Sequence, residues 1–309
     1  MKLPPGLRIL IVVFLIAAAL SIVMLFKGTP TAPRYNPLKG ETDKINKITL
    51  DATVNKVALE SKEKTWRVTA PVDDVADKQL TQRLLDAFQD FSLTSTVSEN
   101  PKHYPDFGVS DGSPHLRVYE SGKAQPVFDV YVGRQAEGFN SAYVRLSDRP
   151  SVYVADDLPS YLFQKSSDDF REHHLLVSKP DGWTRLVFAS GSWQVSLKKS
   201  STSWTNEATG MPLEFSTMTF ILSRLPSLMG MRFAAPELTT SQAGFDKPFL
   251  TISVDSSGGN AKVVVGDKVP NTDPKAAVFR YTETEGRKAI LEATEQSFQD
   301  LIKTAKSVR

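Results

Sequence analysis

The sequence has no cysteine and only four histidines in 309 residues. Disulfide staples, thiolate zinc sites and attachment of a lipid to cysteine are therefore excluded, and any zinc site would have to recruit distant carboxylates. The absence of cysteine also leaves nothing to misoxidise, so an oxidising compartment is compatible with the chain. Catalytic grammar is missing too. There is no GxSxG, no HExxH, no GxxxxGK[ST] and no GxGxxG, which removes the usual signals for serine hydrolases, zincins and nucleotide-binding loops. Charge of one sign is also scarce. With Lys2, Arg8 and Lys27 set aside, 34 basic residues face 35 acidic ones, and no cluster of Lys and Arg with interleaved aromatics occurs. A nucleic-acid partner is not expected.

What the sequence does contain is one long apolar run, Ile9 to Phe26, whose only polar side chain is Ser21. Eighteen helical residues span about 27 Å, close to the hydrocarbon thickness once Arg8 and Lys27 snorkel to the two interfaces. The run predicts a transmembrane anchor. A cleaved signal peptide is the rival, but Ala17, Ala18 and Ala19 lie mid-run and are followed by further large apolar residues. The short tail before the run carries Lys2 and Arg8 and no acid, which places the N-terminus in the cytoplasm and the body outside a bacterial-type inner membrane.

Residues 28–44, with Pro30, Pro33 and Pro37, read as an extended tether. Beyond it the chain repeats. Ile48, Leu50, Val57, Leu59 and Trp66 recur 138 positions later as Leu186, Phe188, Val195, Leu197 and Trp204. Gly108 then matches Gly244, Leu116 matches Leu250, Val118 matches Ile252, Val130 and Gly133 match Val263 and Gly266, and Tyr143 matches Phe279. Period-two alternation marks strands. Helical spacing from Leu80 to Phe91, behind Asp77 as a cap, marks a helix, and Pro226 is expected to end its counterpart early.

Consecutive strands with few helices predict an α+β fold with mostly antiparallel sheets. The full expectation is a transmembrane helix followed by two tandem, similarly folded repeats. Its divisions are a tail and anchor at 1–27, the tether at 28–44, a first repeat at 45–165, a linker at 166–182 and a second repeat at 183–309.

The stretch from Asn46 to Phe88, with Phe107 to Val109, AYVRL at 142–146, SVYVA at 151–155 and FREHHLL at 170–176, resembles the domain-of-unknown-function 4340 family. That resemblance implies a membrane-anchored auxiliary subunit of a gliding-motility-type ABC transport system, and it supplies no catalytic residues. The second copy departs from the family pattern, because the spacing of Trp66 to Pro71 is not kept at Trp204 and Thr209.

Few side chains qualify for chemistry. His173 and His174 are adjacent, and neighbours in a strand or helix diverge too far to bind one metal alone; no metal or cofactor is expected. Asp156 with Asp157 and Asp168 with Asp169 read as turn and capping acids. Arg171 is placed to pair with such an acid, and the Ser256 to Asn260 run reads as a hairpin turn. Trp193, unlike the core pair Trp66 and Trp204, is not demanded by the repeat. Trp193, Arg171, His173 and His174 are therefore the interaction candidates.

The functional expectation is a non-enzymatic, membrane-tethered extracytoplasmic subunit. Its partners would be the lipid bilayer and a membrane protein such as an ABC-type permease complex. The alternatives are a periplasmic ligand- or polysaccharide-binding module and a hydrolase with an unrecognised carboxylate site.

Overall fold

The computed structural model describes residue 14 and residues 35–52, 55–201, 203–273 and 275–309. The expected anchor, with its ends Ile9 and Phe26, lies outside the described residues except for Phe14. Among the described residues no helix is long and apolar enough to cross a membrane.

Alternation of apolar and polar side chains produces strands throughout. The first series is β1 (Ile45–Ala52), β2 (Asn55–Lys62), β3 (Thr65–Ala70), β4 (Asp74–Val75), β5 (Ser92–Ser98), β6 (His115–Glu120), β7 (Phe128–Gln135), β8 (Ala142–Leu146) and β9 (Val152–Asp156). Helix α1 (Lys78–Asp90) precedes β5 and the short α2 (Tyr104–Phe107) precedes β6. The second series is β10 (Trp183–Ser190), β11 (Trp193–Lys199), β12 (Trp204–Asn206), β13 (Arg232–Phe233), β14 (Leu250–Ser256), β15 (Ala261–Lys268), β16 (Phe279–Thr284) and β17 (Leu291–Thr294). Helix α3 (Phe215–Arg224) precedes β13 and α4 (Glu295–Ser307) closes the chain.

The fold is α+β, with two antiparallel sheets. Their strand orders are β4-β3-β2-β1-β6-β7-β8-β9-β5 and β12-β11-β10-β14-β15-β16-β17-β13. Apart from the two-residue β4, the orders are identical when β1 is equated with β10, β5 with β13 and β6 with β14. The helix before the last-placed strand also recurs. In the first copy the Asp77 carboxylate accepts the Leu80 N–H at 2.6 Å, satisfying one of the orphan donors of α1. In the second, α3 stops at Arg224 and gives way to a 3-10 turn containing Pro226, as a proline without an N–H requires.

The ladders refine the match between copies. Leu50, Leu116, Val130 and Leu146 face one another across β1, β6, β7 and β8. Phe188, Ile252, Val263 and Thr284 do so across β10, β14, β15 and β16. Leu116 therefore corresponds to Ile252 rather than Leu250, Val118 to Val254, and Tyr143 to Tyr281 rather than Phe279. Each correction is a slip of two residues, which keeps the same side chains on the same face, so the apolar pattern could not distinguish the registers.

Contacts group the chain into two compact units, Met1–Ala58 with Gln82–Lys165, and Leu59–Thr81 with Ser166–Arg309. The first buries Ile48, Leu50, Phe88, Phe91, Leu116 and Val130. In the second, Trp183, Phe188, Ile221, Ile252 and Phe298 are at the centre of a continuous core.

Candidate functional site

Two polar constellations stand out, one in each unit. In the second unit the stretch 168–175 runs as an extended strap. The Asp77 N–H donates to the Phe170 carbonyl at 2.7 Å and the Glu172 N–H to the Val75 carbonyl at 2.9 Å. The Gly230 N–H reaches the His173 carbonyl and the Leu175 N–H the Leu228 carbonyl, each at 2.9 Å.

Asp74, only 3% exposed, closes this strap. Its two carboxylate oxygens take Nε and Nη2 of Arg287 at 2.8 Å each, and Oδ2 also takes Nε of Arg171 at 2.9 Å. The Val75 N–H adds a bond to Oδ1 at 2.8 Å. Burial alone would raise the Asp74 carboxyl, but the hydrogen bonds and charge of Arg287, joined by Arg171 and the Val75 N–H, outweigh it and hold it below the usual range. Arg171 also binds Asp168 at 2.8 Å and lies 3.4 Å over the Phe233 ring.

The sequence candidates on this strap separate. Arg171 is buried in the clasp. His173 directs Nδ1 to the Gly230 carbonyl at 2.8 Å and Nε2 to the Asp168 carbonyl at 3.1 Å. His174 turns instead to the Glu172 carboxylate at 2.7 Å, so the two imidazoles do not converge. Trp193 is 8% exposed and belongs to the second core, with the Lys306 ammonium 5.3 Å from its ring centroid. Trp204 is buried, whereas Trp66 is half-buried on β3. Asp156 accepts from the Ser141 hydroxyl, and Asp169 accepts from the Ser166 N–H and hydroxyl.

No single sequence motif marks the second constellation. On the first sheet, His115 of β6, Asp129 of β7 and Ser147 just after β8 lie together. Nε2 of His115 and the Ser147 hydroxyl each stand 2.5 Å from Oδ1 of Asp129. Arg117 donates to Nδ1 of His115 at 2.8 Å and to Asp51 at 2.6 Å. Because Nδ1 faces a guanidinium donor it must accept, which leaves the ring proton on Nε2, pointed at Asp129. Nε2 is then no base for Ser147, so this histidine, aspartate and serine do not form a nucleophilic triad. The His115 ring stacks on Tyr131 with centroids 4.1 Å apart, and the guanidinium of the buried Arg145 lies 4.0 Å over the other ring partner, Tyr131.

The ladders place Thr251, Lys262 and Glu285 at the corresponding positions of the second sheet. The Glu285 N–H donates to the Lys262 carbonyl as the Ser147 N–H donates to that of Asp129. The repeated fold therefore does not require this polar group. Beside it opens a cleft of about 430 Å³ lined by residues that include Tyr35, Phe128, Asp129, Ser147 and Asp148. A sequence signal for it existed: His115, Asp129 and Ser147 all fall on the non-core parity of successive strands.

A duplicated, antiparallel α+β body with a strap-and-clasp in its second unit defines the class of protein. Its sequence profile then gives the family. Residues 66–248 match the Domain of unknown function (DUF4340), which is more than half of the chain, and the protein belongs to that family. The match includes Asp74, the His115 group and Arg171, and stops short of Arg287. No curated protein and no solved structure matches the chain.

Proposed function

We propose that the protein is a non-enzymatic, membrane-tethered extracytoplasmic subunit, acting beside a membrane partner such as an ABC-type permease complex. The observation that carries this reading is the uncharged, apolar run Ile9–Phe26, followed by a proline-rich tether and two sheet-rich units. A tether confines the body to a thin layer next to its partner and so raises the effective concentration without stronger contacts. The bilayer would be contacted through the N-terminal helix, with the N-terminus cytoplasmic.

Two experiments test it. The full chain should stay with membranes through high-salt and alkaline washing, and a chain lacking residues 1–27 should not. A mild-detergent preparation of the full chain should retain a membrane-protein partner; recovery of none above background defeats the subunit reading.

The first-unit cleft favours a second reading, a ligand-binding module. It speaks less for a hydrolase. The hydrogen bonds from Arg149 to Asp148 pull that carboxyl down, the reverse of what a proton-donating acid needs.

A further inference from the structure

We propose that the first-unit cleft binds an uncharged glycosyl group, with Tyr35 as its apolar platform and Gln125, Asp129, Ser147, Asp148 and Arg149 as its hydrogen-bonding rim. This deepens the ligand-binding reading, and its placement near a bilayer rests on the tether; the recognition chemistry does not.

Sugars ask for two things at once, a flat apolar surface under the C–H face of the ring and planar polar side chains around its edge. The cleft offers both. Tyr35 is 57% exposed, yet its backbone is pinned by paired hydrogen bonds with Leu93 at 2.8 and 3.2 Å. Asn36 behind it donates to the Phe88 and Gln89 carbonyls at 3.1 Å. The platform is thus held before any ligand arrives, which lowers the ordering cost of binding.

Asp148 and Arg149 neutralise each other, whereas Asp129, with Arg117 Nε 3.9 Å from Oδ2, shares that guanidinium with Asp51 at 2.6 Å, which leaves one carboxylate charge in excess. Oδ1 of Asp129 is occupied by His115 and Ser147, while Oδ2 has no hydrogen bond among the described residues and can accept from a hydroxyl. Gln125, likewise without a partner among the described residues, offers an amide donor and acceptor. A rim of donors and acceptors with one carboxylate in excess favours a polyhydroxyl ligand over an anionic one. The volume of about 430 Å³ falls in the range of ligand sites. The equivalent positions of the second sheet carry Lys262 and Glu285 in place of Asp129 and Ser147, so the hydrogen-bonding group beside the cleft is not repeated in the second copy.

Tyr35 lies eight positions after Lys27, and a fully extended chain over that span reaches at most roughly 28 Å. In the tethered protein the cleft would open within that distance of the lipid surface, where either a free saccharide or a glycolipid headgroup can supply the glycosyl group.

The test uses the full chain in lipid nanodiscs, titrated with maltose and with N,N′-diacetylchitobiose by calorimetry and saturation-transfer NMR. At least one disaccharide should bind with a Kd of about 0.1–1 mM. Tyr35→Ala and Gln125→Ala should each weaken it by about tenfold or more, about 1.4 kcal/mol, with Lys262→Ala as the unaffected control. Gln125 is exposed and unbonded, so its variant folds if Tyr35→Ala does not. Discs doped with monoglucosyldiacylglycerol distinguish the sources, since competition with the soluble sugar marks the headgroup and its absence marks a free saccharide. Failure of both disaccharides, or binding that neither variant weakens, overturns the proposal. Binding by a protein that alkali strips from membranes would instead defeat the tether and leave the cleft standing.

Discussion

Asp74→Ala should lower the stability of the protein by about 3–5 kcal/mol, the cost of leaving a buried charge without its partner. The magnitude follows from what the substitution strands. Arg287 would keep the Glu172 carbonyl and a 5.7 Å approach to the Phe233 ring, and Arg171 the exposed Asp168 and the face of Phe233. Two guanidinium groups, each with a side chain 8% exposed, would face an apolar methyl.

The acid limb of the stability curve supplies an independent signature. Asp74 has a folded-state pKa held below its unfolded value, which lies near 3.9. Its contribution is therefore fully present above about pH 5 and is lost as pH falls through the folded value. The gap between the native protein and Asp74→Ala in urea midpoint should be constant from neutrality down to about pH 5 and narrow below that. A triple replacement, Asp74→Leu with Arg171→Met and Arg287→Met, should recover most of the loss, because exchanging a whole buried ion cluster for apolar groups of similar volume is close to neutral. A loss below about 1 kcal/mol in Asp74→Ala would mean that the clasp behaves as an exposed ion pair, and the strap would need another explanation.

The clasp also shows where legibility in the sequence ends. Alternation identified the strands, Asp77 marked a helix start, Pro226 marked a helix stop, and the 138-residue offset disclosed the duplication, because each is a local or periodic signal. Asp74 and Arg287 are 213 positions apart, and nothing in spacing links them. Arg171 is conspicuous for its neighbour acids, and one of them, Asp168, does bind it, but the decisive partner comes from β4, a two-residue strand too short to carry a pattern. Adjacency made His173 and His174 conspicuous, yet the chain aims them at different partners. His115, Asp129 and Ser147 were less conspicuous because three strands, rather than one motif, assemble them. Their shared parity carried the information; the register needed to use it did not follow from apolar matching, which tolerates a slip of two.

The register can be tested through two glycines. Gly133 of β7 lies against the Phe107 carbonyl, and Gly266 of β15 lies against the Ala243 carbonyl; an added Cβ would overlap a backbone oxygen in each case. A backbone carbonyl cannot rotate aside as a side chain does. Both oxygens belong to the residue just before a left-handed glycine, Gly108 at φ +70° and Gly244 at φ +77°. Each of these turns is closed in the same way, Gly108 N–H to Pro105 and Val109 N–H to Tyr104, Gly244 N–H to Ser241 and Phe245 N–H to Thr240. Gly133→Ala and Gly266→Ala should therefore each cost about 2–4 kcal/mol. Gly122→Ala and Gly286→Ala, which have positive φ but open space around them, should cost only about 1–2 kcal/mol. Since the two clashes sit in different compact units, the double variant should lose close to the sum of the two single losses. Denaturant midpoints for the four single variants and the pair decide it. Equal, large and additive losses would mean that one close approach of a turn to a strand was copied with the fold. A Gly266→Ala loss no larger than that of Gly286→Ala would mean that β15 does not meet its turn as β7 does, and the equivalence of Asp129 with Lys262, read from the same ladder, would fall with it.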